Sequence, residues 1–537
     1  MWRHTRLSEE GINKNSSSVA RSHARTPLTQ LQPLTRMGLI VSVFGSHADW
    51  SISTLLLFTA VFLLMVNWIR NRRPPSFPPG PWTLPVVGNM HNLAHHRMHL
   101  NLMELAETYG NVFSIQLGQE WMVVLNGPTI LKEALVNQGD SVADRPNLQL
   151  IIDSCHGLGL GFSSGHLWKQ QRQFAISTLR YFGSGSKSLE PVVLEEFTHC
   201  AKQFSEFKGK PFAPQLMFYN IVTNIICSLV FGHRFEYGDK NFEKLMNSFG
   251  RCLQIEASVC AQLYNSFPRL MGCLPGPHQT VKRIYQNIRD FIREEMKEHK
   301  KGLDPSTPRD YIDCYLNKIE KSNLEPHNTF HEENLVICVW DLFLAGTDTT
   351  TSTLRWLFLF MAKYPEMQEK VQAEIDEVIG QSRRATMDDC VNMPYTNAVI
   401  HESLRMGNVV PLSLLHATGR DIQLEGYTIP KGTTVIANLT SALFDKNEWE
   451  TPFAFNPGHF LDEEGRFRKR TAFLPFSAGR RLCLGENLAR MMLFLFFTSF
   501  MQDFTISFPA GVSPAMEYHH FGVTLAPHPF DICAVSR

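Results

Sequence analysis

The sequence carries no excess of either charge: 51 Lys and Arg face 51 Asp and Glu, and the formal net charge is zero. Nothing therefore argues for nucleic acid as a partner. There is no Cys-x-x-Cys pair among the 11 cysteines, which excludes the usual zinc site and redox dithiol. An odd count of scattered cysteines, mostly in apolar settings such as Ile226-Cys227 and Ile337-Cys338, reads as reduced thiols facing a cytosol. The chain also lacks internal repeats, and from residue 83 onward it lacks any low-complexity break. Acidic residues are scarce in 1–36, where Arg3, Arg6, Arg21, Arg25 and Arg36 stand among serines. No core can be built there, so this stretch reads as a disordered extension; the same composition also fits a mitochondrial transit peptide. Met37 is a second plausible start to Met1.

What is present begins with an uncharged run from Trp50 to Ile69, long enough to cross a bilayer as a helix. Arg70, Arg72 and Arg73 follow it and favour retention of the downstream chain in the cytosol. Residues 37–73 are therefore expected to anchor the protein. The proline-rich segment 74–82 reads as a stiff hinge, and 83–537 as the working domain. That domain reads as mainly α with small β-sheets. Thr329-Phe-His-Glu332 has the spacing of a capping box opening a helix to about Lys363. Further helices are expected from Pro365 to Ile379 and near Asn392 to Met406. β signals lie at Val112–Leu117, Trp121–Leu125 and Tyr427–Ala437.

The chemistry centres on Cys483, in Phe476-Ser-Ala-Gly479-Arg-Arg481-Leu-Cys483-Leu-Gly485, just before the apolar run 486–500. A cysteine on a glycine-broken loop at a helix N-terminus is set up as a thiolate. Arginines beside it and a wall of Phe and Leu suit a flat, apolar, anionic cofactor, and haem fits that description. Upstream, Ala345-Gly346-Thr-Asp348-Thr349 lays a bare patch on a bulky helix where such a cofactor could approach. Thr349 can bond the Ala345 carbonyl, and Asp348 beside it can relay protons. Glu402 and Arg405 place opposite charges three apart on one helix face.

These motifs resemble those of the cytochrome P-450 family: the Phe-x-x-Gly-x-Arg-x-Cys-x-Gly haem loop, the Ala-Gly-x-Asp/Glu-Thr segment and Glu-x-x-Arg. Glu402–Asn408 and Glu486–Arg490 look like the microsomal family 2 members, nearest the J-type fatty-acid epoxygenases and hydroxylases. The resemblance implies the family's fold, with haem b (iron protoporphyrin IX) ligated by Cys483. It implies Trp168, Arg172, Arg145, His416 and Arg481 on the propionates, and Phe476, Gly479, Gly485 and Ala345 around the ring. It assigns Asp348 and Thr349 to proton delivery. Glu402 and Arg405 would form a structural network closed by His459, which stands where many members carry Arg.

Phe162, Leu412, Leu414 and Phe521 would line the pocket, with His156 facing water. The implied function is monooxygenation of lipophilic substrates, fatty acids such as arachidonic acid or xenobiotics, by hydroxylation or epoxidation. Electrons would come from NADPH through a flavoprotein reductase, with cytochrome b5 a further candidate donor. Lys169, Arg180, Arg466, Lys469 and Arg470 are candidates for the reductase-facing surface. The implied location is the endoplasmic reticulum membrane, with the catalytic domain cytosolic. Two alternatives stay open: a related isomerase or dehydratase acting on peroxides, and a non-catalytic haem protein.

Overall fold

A computed structural model describes residues 37–93, 97–183, 189–322, 324–521 and 523–537, with side chains from residue 52 onward apart from a few positions. The expectation for residues 1–36 lies outside the described residues. Two units emerge, one ending at Val66 and one running from Asn67 to Arg537. The first is dominated by helix α1, Met37–Arg70, which starts well before the expected Trp50. Residues 37–49 hold no proline and are largely apolar, so nothing in them stops the helix. Within it, Ile52–Arg70 is long and apolar enough to cross a membrane, and none of it is buried.

In the second unit the hinge is fastened down. Ser114 N donates to the Pro79 carbonyl (2.6 Å), Ser114 Oγ to that of Pro78 (2.7 Å), and Phe77 is buried. The helices that position the site are α2 (Gly165–Gly183), α3 (Gln215–Phe231), α4 (Glu332–Lys363), α5 (Pro394–Gly407) and α6 (Glu486–Asp503). From Leu335 to Phe343 and again from Thr350 to Met361, α4 is buried almost continuously, as befits a helix apolar on nearly every side. Its N-terminus differs from expectation. His331 is the cap and its ring accepts from Asn334 N (3.2 Å), while Thr329 Oγ1 is drawn away to Gln170 Oε1 (2.7 Å). The expected Pro365 helix runs to Val378.

Strands β1 (Val112–Leu117), β2 (Glu120–Leu125), β3 (His416–Ala417) and β6 (Thr434–Ala437) form one sheet in the order β1-β2-β6-β3. The stretch 427–437 is two strands, because the turn at Gly432 (φ 82°) breaks it. β5 (Tyr427–Ile429) pairs with β4 (Ile422–Leu424), outside that sheet. Two further hairpin-like pairs join β7 (Phe504–Ser507) to β10 (Cys533–Ser536) and β8 (Tyr518–Phe521) to β9 (Leu525–Pro527).

Candidate functional site

The Cys483 loop is shaped by one glycine. Gly479 has φ 72°, and a Cβ there would overlap the Leu135 carbonyl oxygen, so no other residue fits. Cys483 N donates to the Phe476 carbonyl (3.0 Å), closing the loop just ahead of α6. Arg490 in the first turns of α6 pairs with Glu486 (2.8 Å), lies over the Phe476 ring and donates to His401 Nε2 (2.6 Å) on α5. Burial and the Arg490 charge push the His401 ring down to about 3, so it stays a neutral acceptor.

The thiol differs from the expected ready thiolate. Burial pushes the Cys483 thiol up, outweighing the Gly485 N–H and the Arg172 charge, which favour the anion. Yet the side chain is accessible. A cation at this accessible sulfur would tip the balance back to the thiolate.

A cluster of positive charge stands near Cys483. Arg481 donates to the carbonyls of Ala143 (2.7 Å), Leu160 (3.3 Å) and Ser163 (2.6 Å), and its guanidinium lies 3.8 Å over the Trp168 ring of α2. Arg145 donates to the carbonyls of Gly161 (2.9 Å), Leu414 (3.0 Å) and Leu415 (2.6 Å), and Arg172 to that of Leu482 (2.5 Å). All these bonds go to backbone oxygen. Burial pushes all three guanidinium pKa values down, and mutual repulsion adds to it for Arg145 and Arg481.

His416 on β3 donates through Nδ1 to the Val142 carbonyl (2.9 Å), which leaves Nε2 buried without a partner. Burial and the charges of Arg145 and Arg481 hold this ring neutral down to about 3. Three crowded cations and one orphaned buried nitrogen are the complement of a pair of carboxylates. Together with an accessible sulfur, they fit haem and its propionates.

On α4, Ala345 is exposed between the two buried stretches. Gly346 does not share that role: a Cβ there would meet Ile226 Cδ1 at 2.6 Å, so its bareness serves packing against α3. Thr349 Oγ1 donates to the Ala345 carbonyl (2.6 Å), as the spacing requires. Asp348 turns to the loop between β8 and β9, where Thr524 Oγ1 donates to its Oδ2 (2.6 Å). Burial pushes the Asp348 carboxyl up; the Thr524 hydrogen bond and the Arg355 charge pull the other way.

The supporting network forms in full. Arg405 meets Glu402 through two bonds (2.8 and 2.7 Å) and donates to the carbonyls of Leu443, Pro452 and Ala454. Glu402 also accepts from Asn456 N (2.8 Å) and lies 3.3 Å from His459 Nδ1. His459 Nε2 accepts from Thr451 N (3.2 Å), so Nδ1 carries the proton toward Glu402. All three side chains are fully buried.

Among the pocket residues, Phe162, Leu412 and Leu414 are half-buried, His156 is exposed, and the Phe521 side chain lies outside the described residues. The cationic surface is smaller than expected. Arg466 pairs with Asp462 (2.9 Å) and Arg470 with Glu450 (3.0 Å), while Lys169 and Lys469 are exposed; Arg180 is exposed but engaged.

Asp341 went unnoticed in the sequence. Its Oδ2 accepts from Leu160 N (2.6 Å) and Gly161 N (2.9 Å), and a Cβ on Gly159 (φ 87°) would overlap that oxygen. Burial pushes this carboxyl up to about 6 despite both bonds. The legible signal was one charge inside the apolar run 335–344, preceded far upstream by Gly157, Gly159 and Gly161.

Residues 78–534 match the family model described as Cytochrome P450. The chain is 46% identical over 503 residues to cytochrome P450 2J2 of Homo sapiens, covering 93% of this chain and 100% of that protein. It is 46% identical over 484 residues to cytochrome P450 2J1 of Oryctolagus cuniculus (90% and 96%) and 42% identical over 511 residues to cytochrome P450 2C23 of Rattus norvegicus (95% and 100%).

Proposed function

Because this chain belongs to the cytochrome P450 family, and is therefore a haem-dependent monooxygenase, we propose that Cys483 Sγ is the axial ligand of its iron. Arg145, Arg172, Arg481, Trp168 and His416 hold the two propionates. The observation that carries this reading is the unpaired cation cluster with its orphaned His416 Nε2. An arriving carboxylate reverses the local sign: it relieves the repulsion among the arginines and lets Nε2 take a proton and donate. Gly479 gives the loop its shape, Gly485 supplies an N–H toward the sulfur, and Phe476 and the accessible Ala345 supply apolar contact.

Bound haem supplies the redox chemistry that places one atom of dioxygen in the substrate. Reducing the other atom to water consumes two protons, and the chain's part is to deliver them. Asp348 Oδ2 receives a proton and passes it on, and the Thr349 hydroxyl, held by the Ala345 carbonyl, offers the last donor. Phe162, Leu412 and Leu414 keep the pocket apolar and suit lipophilic substrates, fatty acids or xenobiotics. Electrons come from NADPH through a flavoprotein reductase, with cytochrome b5 as a second donor. Lys169 and Lys469 offer exposed positive charge to an acidic partner. The location in keeping with this reading is the endoplasmic reticulum membrane, with the body, from residue 83 onward, in the cytosol; the apolar stretch Ile52–Arg70 and the basic Arg70, Arg72 and Arg73 behind it support it.

The test is the reduced, CO-bound difference spectrum, followed by an NADPH-dependent product profile on arachidonic acid. The wild type should give the Soret band of thiolate ligation, and Cys483→Ala should abolish it. An unchanged spectrum in that variant would overturn the ligand assignment.

A further inference from the structure

Asp348 is half-buried on α4, with an oxygen engaged by a residue 176 positions away: Thr524, in the link between β8 and β9. Its neighbour Thr349 is engaged elsewhere, on the Ala345 carbonyl. At rest, then, the carboxylate and the hydroxyl that would receive its proton each have a different partner. Two titratable or charged groups face Asp348 among the described residues: Tyr219 of α3, whose hydroxyl burial and the Asp348 charge push up, and Arg355 of α4. Arg355 spends its Nη2 on the Pro527 carbonyl at the end of β9 (2.7 Å) and leaves Nε buried without a partner. Among the described residues, Thr524 is the one hydrogen-bond donor that meets the carboxylate directly.

We propose that Thr524 is a positioning residue for proton delivery: its hydroxyl parks the Asp348 carboxylate on the β8–β9 link and holds it ionised. Asp348 is thereby ready to accept a proton from outside, and protonation releases it from Thr524 toward Thr349. The chemistry follows from the bond. A hydroxyl donating to a carboxylate favours the anion and loses much of its strength once that oxygen is protonated. The parked anion accepts and the protonated acid leaves, so each proton consumed in forming water is replaced from outside and the acid is not stranded beside Thr349. Without the hydroxyl, only the Arg355 charge opposes burial, and the acid is protonated and unanchored more of the time. This rests on the reading of Asp348 as proton donor.

The experiment compares Thr524→Val, Thr524→Ser, Thr524→Ala and Asp348→Asn in the haem-loaded protein reconstituted with reductase. Isotope-edited infrared spectra with 13C-labelled aspartate assign the Asp348 carboxyl as the band missing in Asp348→Asn. Thr524→Val should raise the pH at which that band changes and shift its frequency. It should also lower product formed per NADPH by about three- to tenfold, part of what a positioned acid contributes. Thr524→Ser should restore both. An unmoved band in Thr524→Val overturns the inference, and so does a moved band with unchanged coupling. If the valine variant fails to retain haem, Thr524→Ala reads the same two quantities. Full coupling in Asp348→Asn would instead sink the proton-donor reading, whatever Thr524 does to the band.

Discussion

Replacing Glu402 by Gln keeps the shape of the side chain and removes its charge. Arg405 is then left fully buried with three backbone carbonyls and no counter-ion. Breaking a buried pair from one side costs about 3–5 kcal/mol. Over residues 78–534, an unfolding entropy of about 2.1 cal/mol/K per residue sums to about 1 kcal/mol per degree. Glu402→Gln should therefore lower the thermal midpoint by about 3–5 °C. Phe473 ties the network to the cysteine loop: its ring packs on Phe460 and on His401 (centroids 5.0 and 5.1 Å), the ring Arg490 contacts. The reduced-CO Soret band should accordingly fade with the same midpoint, read in parallel with far-ultraviolet circular dichroism. Glu402→Gln combined with Arg405→Met removes both charges and should lose less than Glu402→Gln alone, since no uncompensated charge remains. A Glu402→Gln midpoint within about 1 °C of wild type, or a double variant worse than the single, would refute the buried-charge reasoning.

Gly479→Ala should yield protein without the thiolate Soret band, because its Cβ cannot share space with the Leu135 carbonyl; haem content after purification checks it. His401 is depressed to about 3, so folding keeps it neutral while the unfolded chain protonates it near 6.5. Its contribution is complete above that pH and falls by about 1.4 kcal/mol per pH unit as pH drops toward 3. His401→Gln should flatten this part of the acid-stability profile, measured by denaturant midpoints from pH 7 to pH 5. Arg481→Lys keeps the charge but loses the three-way fork onto Ala143, Leu160 and Ser163 and the stack on Trp168. It should release haem to an acceptor globin faster than wild type.

The cysteine loop, the Thr349–Ala345 bond and the Glu402–Arg405 pair were legible because each rests on contacts within a few residues of one another or on a fixed spacing. The same holds for most helix and strand positions. What escaped were long-range choices. Thr329 could cap its own helix or reach Gln170, and the sequence offers no way to rank the two. Gly346 looked like a site for a cofactor, but Ile226 of α3, 120 positions upstream, fills the space above it. Asp341 and Thr524 find their partners only once distant loops are folded against α4. The expected thiolate character of Cys483 came from the helix N-terminus, its free N–H groups and the arginines beside it; burial opposes these and pushes the thiol up.

The grip of Asp341 on Leu160 and Gly161 divides one connecting segment into two regimes. Asn334 Oδ1 adds a third clasp on Gly159 N (2.8 Å), and Ser163 Oγ closes back onto the Gly159 carbonyl. Residues 159–163 are thus fixed relative to the arginines that use their carbonyls, while Gln149–Cys155 form a separate short helix upstream. Substitutions in that upstream helix therefore leave the clasped carbonyls, and with them the seating of Arg145 and Arg481, unchanged.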